Sequence, residues 1–392
     1  MREFPNEAGR ALTGLRSYIE AERFRGYDPY DILSSPLPFH LLGKWGQSVL
    51  VQIHKRNPLN LRPILGIRKD INPKGAGLLL AAYSILARRN GDSEAAKRAE
   101  ELFAWLLDKV TPGFHGPCWG YNFTWASPEK ILPRYHPSLV VTAFVMKGLF
   151  EYHRATGSAE ALKTIREACR YILDDLPVTE SSLGLCFSYT DLKRDCCFNA
   201  NMLAAEVLAK AFSLTGEERL VEAARRAVDF TLAYQKDDGR WNYSVHPDTG
   251  KEREQVDFHQ GFILESLFEF WKYAKPDSER LLPALRKGAA FYLRNQFFDD
   301  GRSKWRYPRK VPADIHHQAQ GIITFRKLGS IDPSMTEAAE RIADWTIRNM
   351  QHPKGYFFYQ CGRVLMNRIS YMRWGQAWMF LALSLVATPE EK

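Results

Sequence analysis

SLVVTAFVMKGLFEYHRATGSAEALKTIREACRYILDDL, residues 138–176, reads as two helices of different character joined by a turn. The first half is apolar on all sides up to Lys147, as a helix surrounded by protein must be. The second sets charged residues between apolar ones recurring at three and four, the pattern of a helix with one wet face. Between them Gly157 ends the first helix and Ser158 caps the second. A link this short makes the two antiparallel neighbours.

The same unit recurs along the chain. Apolar helices begin near Gly75, Ser138, Asn201, Gly261, Ala319 and Gln376, a period of about 60 residues. Charged amphipathic helices lie between them, among them SEAAKRAEELFAWLLDKV, ERLVEAARRAVDFTLAYQ, SERLLPALRKGAAFYLRNQ and SMTEAAERIADWTIRNM. The turns SLTGEER and YAKPDSE repeat the chemistry of RATGSAE. About six such hairpins bury every apolar helix if they curve into a ring. The fold expected is all-α, an (α/α)6 toroid of about six hairpins with long loops on one rim. An open solenoid would end in polar faces, whereas the last segment, WGQAWMFLALSLVA, is among the most apolar. No linker divides the chain, so residues 71–392 are read as the toroid and 1–70 as an irregular, partly helical segment packed on it.

The composition agrees with one large core. The 392 residues are 45% hydrophobic and 25% charged, which excludes disorder and a small disulfide scaffold. Lys and Arg number 54 against 45 Asp and Glu, and the net charge of +9 favours an anionic partner. Six irregularly spaced cysteines suit a reducing compartment. The first twenty residues carry charge where a signal peptide needs an apolar run, and no stretch approaches about 20 apolar residues, so the cytoplasm is expected. The segment from Phe39 to Ile67 mixes apolar and basic residues. It suits either contact with an anionic membrane surface or, more ordinarily, packing on the rest of the fold. Oligomeric state is left open by the sequence.

The connections from charged helix to apolar helix are long and carry a Gly-aromatic signature: CWGYNFTW (118–125), GLCFSY (184–189), DDGRWNYS (237–244), DDGRSKWRYP (299–308) and PKGYFFYQ (353–360). Rings such as Trp119, Tyr121, Trp125, Trp241, Trp305 and Trp374 suit stacking on a sugar, or simply seal the hairpins. Just before each inner helix comes a polar cluster: Arg134, Tyr135 and His136; Asn199 and Asn201; Asp257, His259 and Gln260; Asp314, His316, His317 and Gln318; Arg368, Tyr371, Arg373 and Gln376. In a closed ring these converge on the central hollow. Helix capping by Asp257, Asn199 and Asp314 is the plainer alternative, but it leaves the accompanying His and Arg unexplained. No metal-ligand spacing, nucleotide fingerprint or Gly-x-Ser-x-Gly elbow is present, so no metal and no cofactor are expected. No nucleic-acid module is present either.

The loop QKDDGRW (235–241) resembles the Gln-to-Trp repeats of terpenoid cyclases and related α/α toroids. A closer resemblance is to helical-toroid proteins of exopolysaccharide and surface-glycan biosynthesis, related in fold to the C-terminal domain of glucuronyl C5-epimerases. GYDPYD (26–31), RNPLNLRPILGI with the following NPKG (56–75), CWGYNFTW and RISYMRWGQAWMFLAL (368–383) carry it. The resemblance implies an enzyme acting on a uronate within an anionic oligosaccharide or lipid-linked glycan, by removal of the C5 proton in the manner of an epimerase or lyase. That chemistry needs a base, an acid and a group to hold the carboxylate. His259 or His316 with Tyr243 or Tyr307 supply the first two. Asn199, Asn201 and Arg373 suit the third, and Arg134, His136, His317 and Tyr371 extend the binding surface. Two alternatives stand beside it. One is a glycoside hydrolase of the unsaturated-uronyl type with Asp257 and Asp314 as its carboxylates. The other is a non-catalytic glycan-binding or assembly protein.

Overall fold

The computed structural model describes residues 4–127, 130–275 and 278–388. Helices α1 (Phe4–Ala21) and α2 (Gly43–Arg56) come first. There follow α3 (Pro73–Asn90), α4 (Ser93–Asp108), α5 (Leu139–Thr156), α6 (Ala159–Arg170), α7 (Phe198–Thr215) and α8 (Glu218–Ala233). The series ends with α9 (His259–Ala274), α10 (Ser278–Gln296), α11 (Ile315–Leu328), α12 (Pro333–Met350) and α13 (Ala377–Val386). The odd-numbered helices from α3 to α13 are buried along most of their length, while α4, α6, α8 and α12 bury one stripe.

The inner helices pack as a closed circuit: α3 on α5, α5 on α7, α7 on α9, α9 on α11, α11 on α13, and α13 back on α3. The expected ring is therefore formed. Gly91, Gly157 and Gly216 end α3, α5 and α7 in the left-handed conformation, and Asp92 and Ser158 cap the helices that follow. The third quoted turn, YAKPDSE, includes residues 276 and 277, which lie outside the described residues.

Residues 1–70, expected as an irregular, partly helical segment packed on the toroid, contain α1, which packs on α12 and α13. It holds the outer position of a sixth hairpin whose inner helix, α13, lies at the other end of the sequence. The loops make this equivalence concrete. A Cβ on Gly239 would strike the Lys287 carbonyl of α10 at 2.4 Å, one on Gly301 the Arg341 carbonyl of α12 at 2.4 Å, and one on Gly355 the Gly14 carbonyl of α1 at 2.0 Å. Each loop glycine thus lets its loop lie directly on the next outer helix. Gln235 donates to the Ala284 carbonyl of α10, and Gln351 does the same to Ala11 of α1.

The long loops occupy one rim and are tied to one another. Cys196–Cys197 pairs antiparallel with Ser244–Val245, which pairs with Glu252–Arg253. Ala313–Asp314 pairs with Gln360–Cys361, with Asp314 opposite Gln360, and that strand pairs with Met366–Asn367.

Candidate functional site

Where the inner helices start, their first turns gather aromatic rings and ionisable groups. The best-formed unit is Asp257 with His259. The carboxylate accepts from the His259 backbone N–H at 3.2 Å and from its Nδ1 at 2.5 Å, while Gln255 donates to the second oxygen at 2.7 Å. Arg306 approaches that oxygen at 3.6 Å. Against the burial that opposes it, the neighbouring His259 and Arg306 hold the Asp257 carboxyl well below the usual carboxylate range. With Nδ1 donating to a carboxylate, Nε2 of His259 is the basic nitrogen, the arrangement used to orient and support a catalytic imidazole. The His259 ring is half-buried and meets Tyr243 edge-on at 5.0 Å. Proximity to Cys197 and burial keep the Tyr243 hydroxyl protonated well above its ordinary range.

Phe258 lies between two imidazoles, 4.2 Å from His259 and 4.6 Å from His316. His316 is buried among Phe258, Trp374 and Trp378, and neither ring nitrogen has a hydrogen-bond partner among the described residues. Burial first, then the charges of Lys74 and Arg373, drive its pKa well below the histidine range, so it is neutral. Asp314 caps α11 and accepts from the His316 N–H, from Gln360 and from Trp374 Nε1 at 3.0 Å. Burial raises its pKa in spite of these donors.

Lys74, in the first turn of α3, is a residue that the sequence reading did not single out. Its side chain is buried with the ammonium 4.2 Å from the Phe144 ring centre, 5.3 Å from Trp378 and 5.5 Å from Phe262. Burial and the nearby Arg373 lower its pKa strongly. A lysine in the first turn of an apolar helix sits at the wrong end of the helix dipole, and that anomaly was the available signal.

The segments carrying the family resemblance meet in space. Asp28 of GYDPYD accepts a two-pronged bond from buried Arg373 at 2.5 and 2.7 Å. Asp31 accepts from buried Arg62 at 2.8 and 3.1 Å, and Arg62 also donates to the Asp28 carbonyl. Burial outweighs Arg62 and pushes the Asp31 carboxyl up to about 7. The neighbouring His54 is pushed down to about 4 by burial and Arg62. A cavity of about 480 Å³ opens beside these pairs, lined by Tyr27, Asp28, Asp70, Asn72, Arg134 and Arg373.

Several expected site residues have other work. Trp119 and Trp241 cannot stack on a sugar. Both are fully buried and donate Nε1 to the Leu106 and Thr231 carbonyls, sealing hairpins. Asn201 accepts from the Phe187 N–H and donates to the Leu185 and Ala227 carbonyls, so it clamps a loop, as Gln260 and Gln376 clamp theirs. His317 stacks at 5.7 Å on Tyr292 of the outer helix α10, away from His316. Arg373 is already engaged by Asp28, which removes it as a holder of a substrate carboxylate. Tyr371 is buried beneath the Arg62 guanidinium. Tyr307 is exposed and packs on Phe291 of α10. Asn199 is buried and accepts from Cys197.

Other expected residues lie nearer the opening. Tyr121 and Tyr189 place their hydroxyls 3.5 Å apart, and Arg373 lies over the Tyr121 ring. Trp374 lines the hollow between Tyr30 and His316. Arg134 pairs with Asp70, and His136 with Asp191. Trp125 and Trp305 are half-buried in their loops. Among the described residues no group of three or more His, Cys, Asp or Glu side chains is placed to hold a metal ion.

No family model matches this chain, and no curated protein sequence does. Solved structures do. A cellobiose 2-epimerase from Bacillus thermoamylovorans superposes with a TM-score of 0.64 at 14% identity, over 81% of this chain and 87% of that one. A family 76 glycoside hydrolase from a bovine Bacteroides thetaiotaomicron strain gives 0.68 at 15% identity, over 98% and 77%. A possible member of the GH105 family from Salmonella enterica serovar Paratyphi A gives 0.62 at 14% identity, over 80% and 82%. The chain has the fold of these sugar epimerases and glycoside hydrolases.

Proposed function

We propose that this protein is a carbohydrate-active enzyme that removes the C5 proton of a uronate within an anionic glycan, as an epimerase or lyase does. The observation that carries the reading is the Asp257–His259 pair beside Tyr243 on the loop rim. Nε2 of His259 takes the C5 proton, and the electron pair left on carbon spreads into the uronate carboxylate. Arg306 beside Asp257 and Arg253 over the Tyr243 ring supply the positive charge that this build-up needs. Return of a proton from the Tyr243 hydroxyl to the opposite face inverts C5. Loss of the C4 substituent instead leaves a double bond. The shared fold with sugar epimerases supports this reading, as does the resemblance to glycan-biosynthesis toroids, and a cytoplasmic site of action belongs to the same proposal.

Hydrolysis has one observation in its favour, since Asp257 and Asp314 are displaced in opposite directions as an acid–base pair requires. Yet both oxygens of Asp314 are occupied by donors and the group is buried, which leaves it no access to a glycosidic oxygen. Incubation with uronate oligosaccharides in deuterated water, followed by proton NMR and ultraviolet absorbance, tests the proposal. Deuterium at C5 or a new unsaturated uronate is the expected result. New reducing ends alone, or no change across a broad panel of uronates with binding retained, overturns it.

A further inference from the structure

Thirteen large apolar side chains among the described residues are exposed, and eight of them fall between Leu37 and Ile64. Helix α2 packs through Gln47, Ser48, Val51 and His54 on a small cluster formed with Ile32 and Ile67. Its opposite face carries Trp45, Val49 and Ile53, spaced by four so that they form one row, with Trp45 69% and Ile53 63% exposed. Leu41 extends the row at the N-terminal end, and Leu59 and Ile64 follow at the other; Leu41 and Ile64 are 75% and 83% exposed. A second element adjoins the end of α2. Asn367 donates to the Asn57 carbonyl just beyond α2, and the hairpin that ends at Asn367 has Val364 at its tip, 93% exposed. Stable soluble surfaces do not collect apolar side chains in this way without a use for them.

The charge around the patch identifies the occupant. Residues 32–69 contain Lys44, Lys55, Arg56, Arg62, Arg68 and Lys69 and no Asp or Glu, in a chain whose net charge is +9. Arg62 is spent on Asp31 inside the fold and Lys69 pairs with Glu22, while Lys44, Arg56 and Arg68 are exposed in the same segment as the apolar row. Apolar side chains that stand out from a helix and from loop tips, in a segment that supplies cations and no acidic side chain of its own, match the boundary between acyl chains and anionic headgroups. No described helix is long and apolar enough to cross a membrane, so the contact would lie along the surface.

We infer that the α2 face is a docking surface for an anionic lipid bilayer, with α2 lying in the interface and Trp45, Val49 and Ile53 inserted. The inference stands apart from the reaction assigned above. It also orients the site, because Lys55 near the end of α2 lies over the rings of Tyr30 and Trp374 at 4.3 and 5.1 Å. Docked in this way, the long-loop rim presents the hollow toward groups anchored in the bilayer.

Co-sedimentation of the full chain with vesicles tests it, using phosphatidylcholine alone and phosphatidylcholine with 30% phosphatidylglycerol as an order-of-magnitude anionic load. Binding to the anionic vesicles is expected, weakened by salt and reduced roughly 10-fold or more by the double change Trp45→Glu and Ile53→Glu. Leu183→Glu with Leu192→Glu, exposed apolar positions elsewhere, is expected to leave binding unchanged. Thermal unfolding verifies that each variant is folded. Trp45→Phe, which preserves the apolar row, keeps binding but reduces quenching of tryptophan fluorescence by brominated lipid. Equal affinity for neutral and anionic vesicles overturns the inference, and so does absence of vesicle binding. Self-association abolished by the Glu pair, without lipid binding, would assign the face to a second copy instead.

Discussion

Between the middle of the ring and its short-turn end, Lys147, Lys210 and Lys327 alternate with Glu206, Glu265 and Glu269 in a closed hexagon of ion pairs between 2.6 and 3.1 Å. Each lysine meets two carboxylates and each carboxylate two lysines. At the long-loop end of the inner helices, Lys74 faces aromatic rings and His316 has no hydrogen-bond partner among the described residues. Burial acts on both ends alike, yet the outcomes are opposite. In the hexagon the partners win: Lys210 and Lys327 are raised, Glu265 and Glu269 are lowered, and these four stay charged. At the loop end burial prevails, and Lys74 and His316 are driven toward neutrality with their lone pairs available. Paired charge builds a rigid floor. Unpaired, neutralised groups of this kind line the hollow beside the Asp257–His259 pair.

A cavity of about 180 Å³ adjoins the hexagon, lined by Arg88, Arg154, Lys272 and Arg326 among others. Those four lie near the C-termini of α3, α5, α9 and α11, where helix dipoles already call for positive charge. The excess of cations there is accounted for by the fold.

The contrast can be broken at several points. The largest effect is expected for Glu265→Ala, which deprives Lys147 and Lys327 of a shared carboxylate and takes from Gln320 one of its two acceptors. Removing one partner from a buried ion pair costs roughly 3–5 kcal/mol, and this site should reach the upper end, measured by chemical denaturation. Next comes His259→Ala at the other end. It should lower turnover of the uronate substrate about 10³-fold, about 4 kcal/mol of barrier, while the melting temperature barely moves. A fall in stability without a specific loss of turnover would make His259 a structural residue like those of the hexagon.

Acid should separate the two ends without any substitution. His316 and His317 are buried neutral, with His317 pushed down to about 4, whereas in the unfolded chain both take up a proton near 6.5. Their stabilising contribution is complete above pH 6.5 and is lost as pH falls from there through about 4. Glu265 and Glu269 of the hexagon, lowered in the folded state, remain ionised through that window. Stability should drop by roughly 1–2 kcal/mol per buried histidine between pH 7 and 5, and His317→Phe should flatten that slope. The smallest effect is reserved for Lys74→Met. Replacing a poorly compensated buried amine by an apolar chain of similar length should raise stability by about 1 kcal/mol, whereas Lys210→Met should lower it. Opposite signs for the two lysines, read by denaturation, would sharpen the contrast; equal signs would remove it.

Particular residues show how far the sequence could be read. Gly157 followed by Ser158, and its equivalents, announced the hairpins because caps and periodicity are local properties. His259 and Asp257 were legible because they lie two positions apart at a helix start, so their contact is also local. Asn201 and His317 carried the same signature as true lining residues, but one step of about 100° around a helix separates facing the hollow from facing an outer helix, and Trp119 and Trp241 turn from their loops into the hairpins. The pairings Asp28–Arg373 and Asp31–Arg62 span hundreds and tens of residues and had no local signal. Nor did α1 as the partner of α13, since the two lie at opposite ends of the chain.

The sequence by itself determined the helices, their sorting into inner and outer layers, the rim that bears the long loops and the groups available there for chemistry. Periodicity, capping and composition act over a few residues, and each is written in consecutive positions. Only the tertiary structure decided that the first helix completes the ring, that Lys74 joins His316 in an aromatic hollow, and that the row on α2 remains uncovered. Those outcomes depend on which distant surfaces fill one another's space, and on how burial at that point divides charged groups into paired and neutral ones.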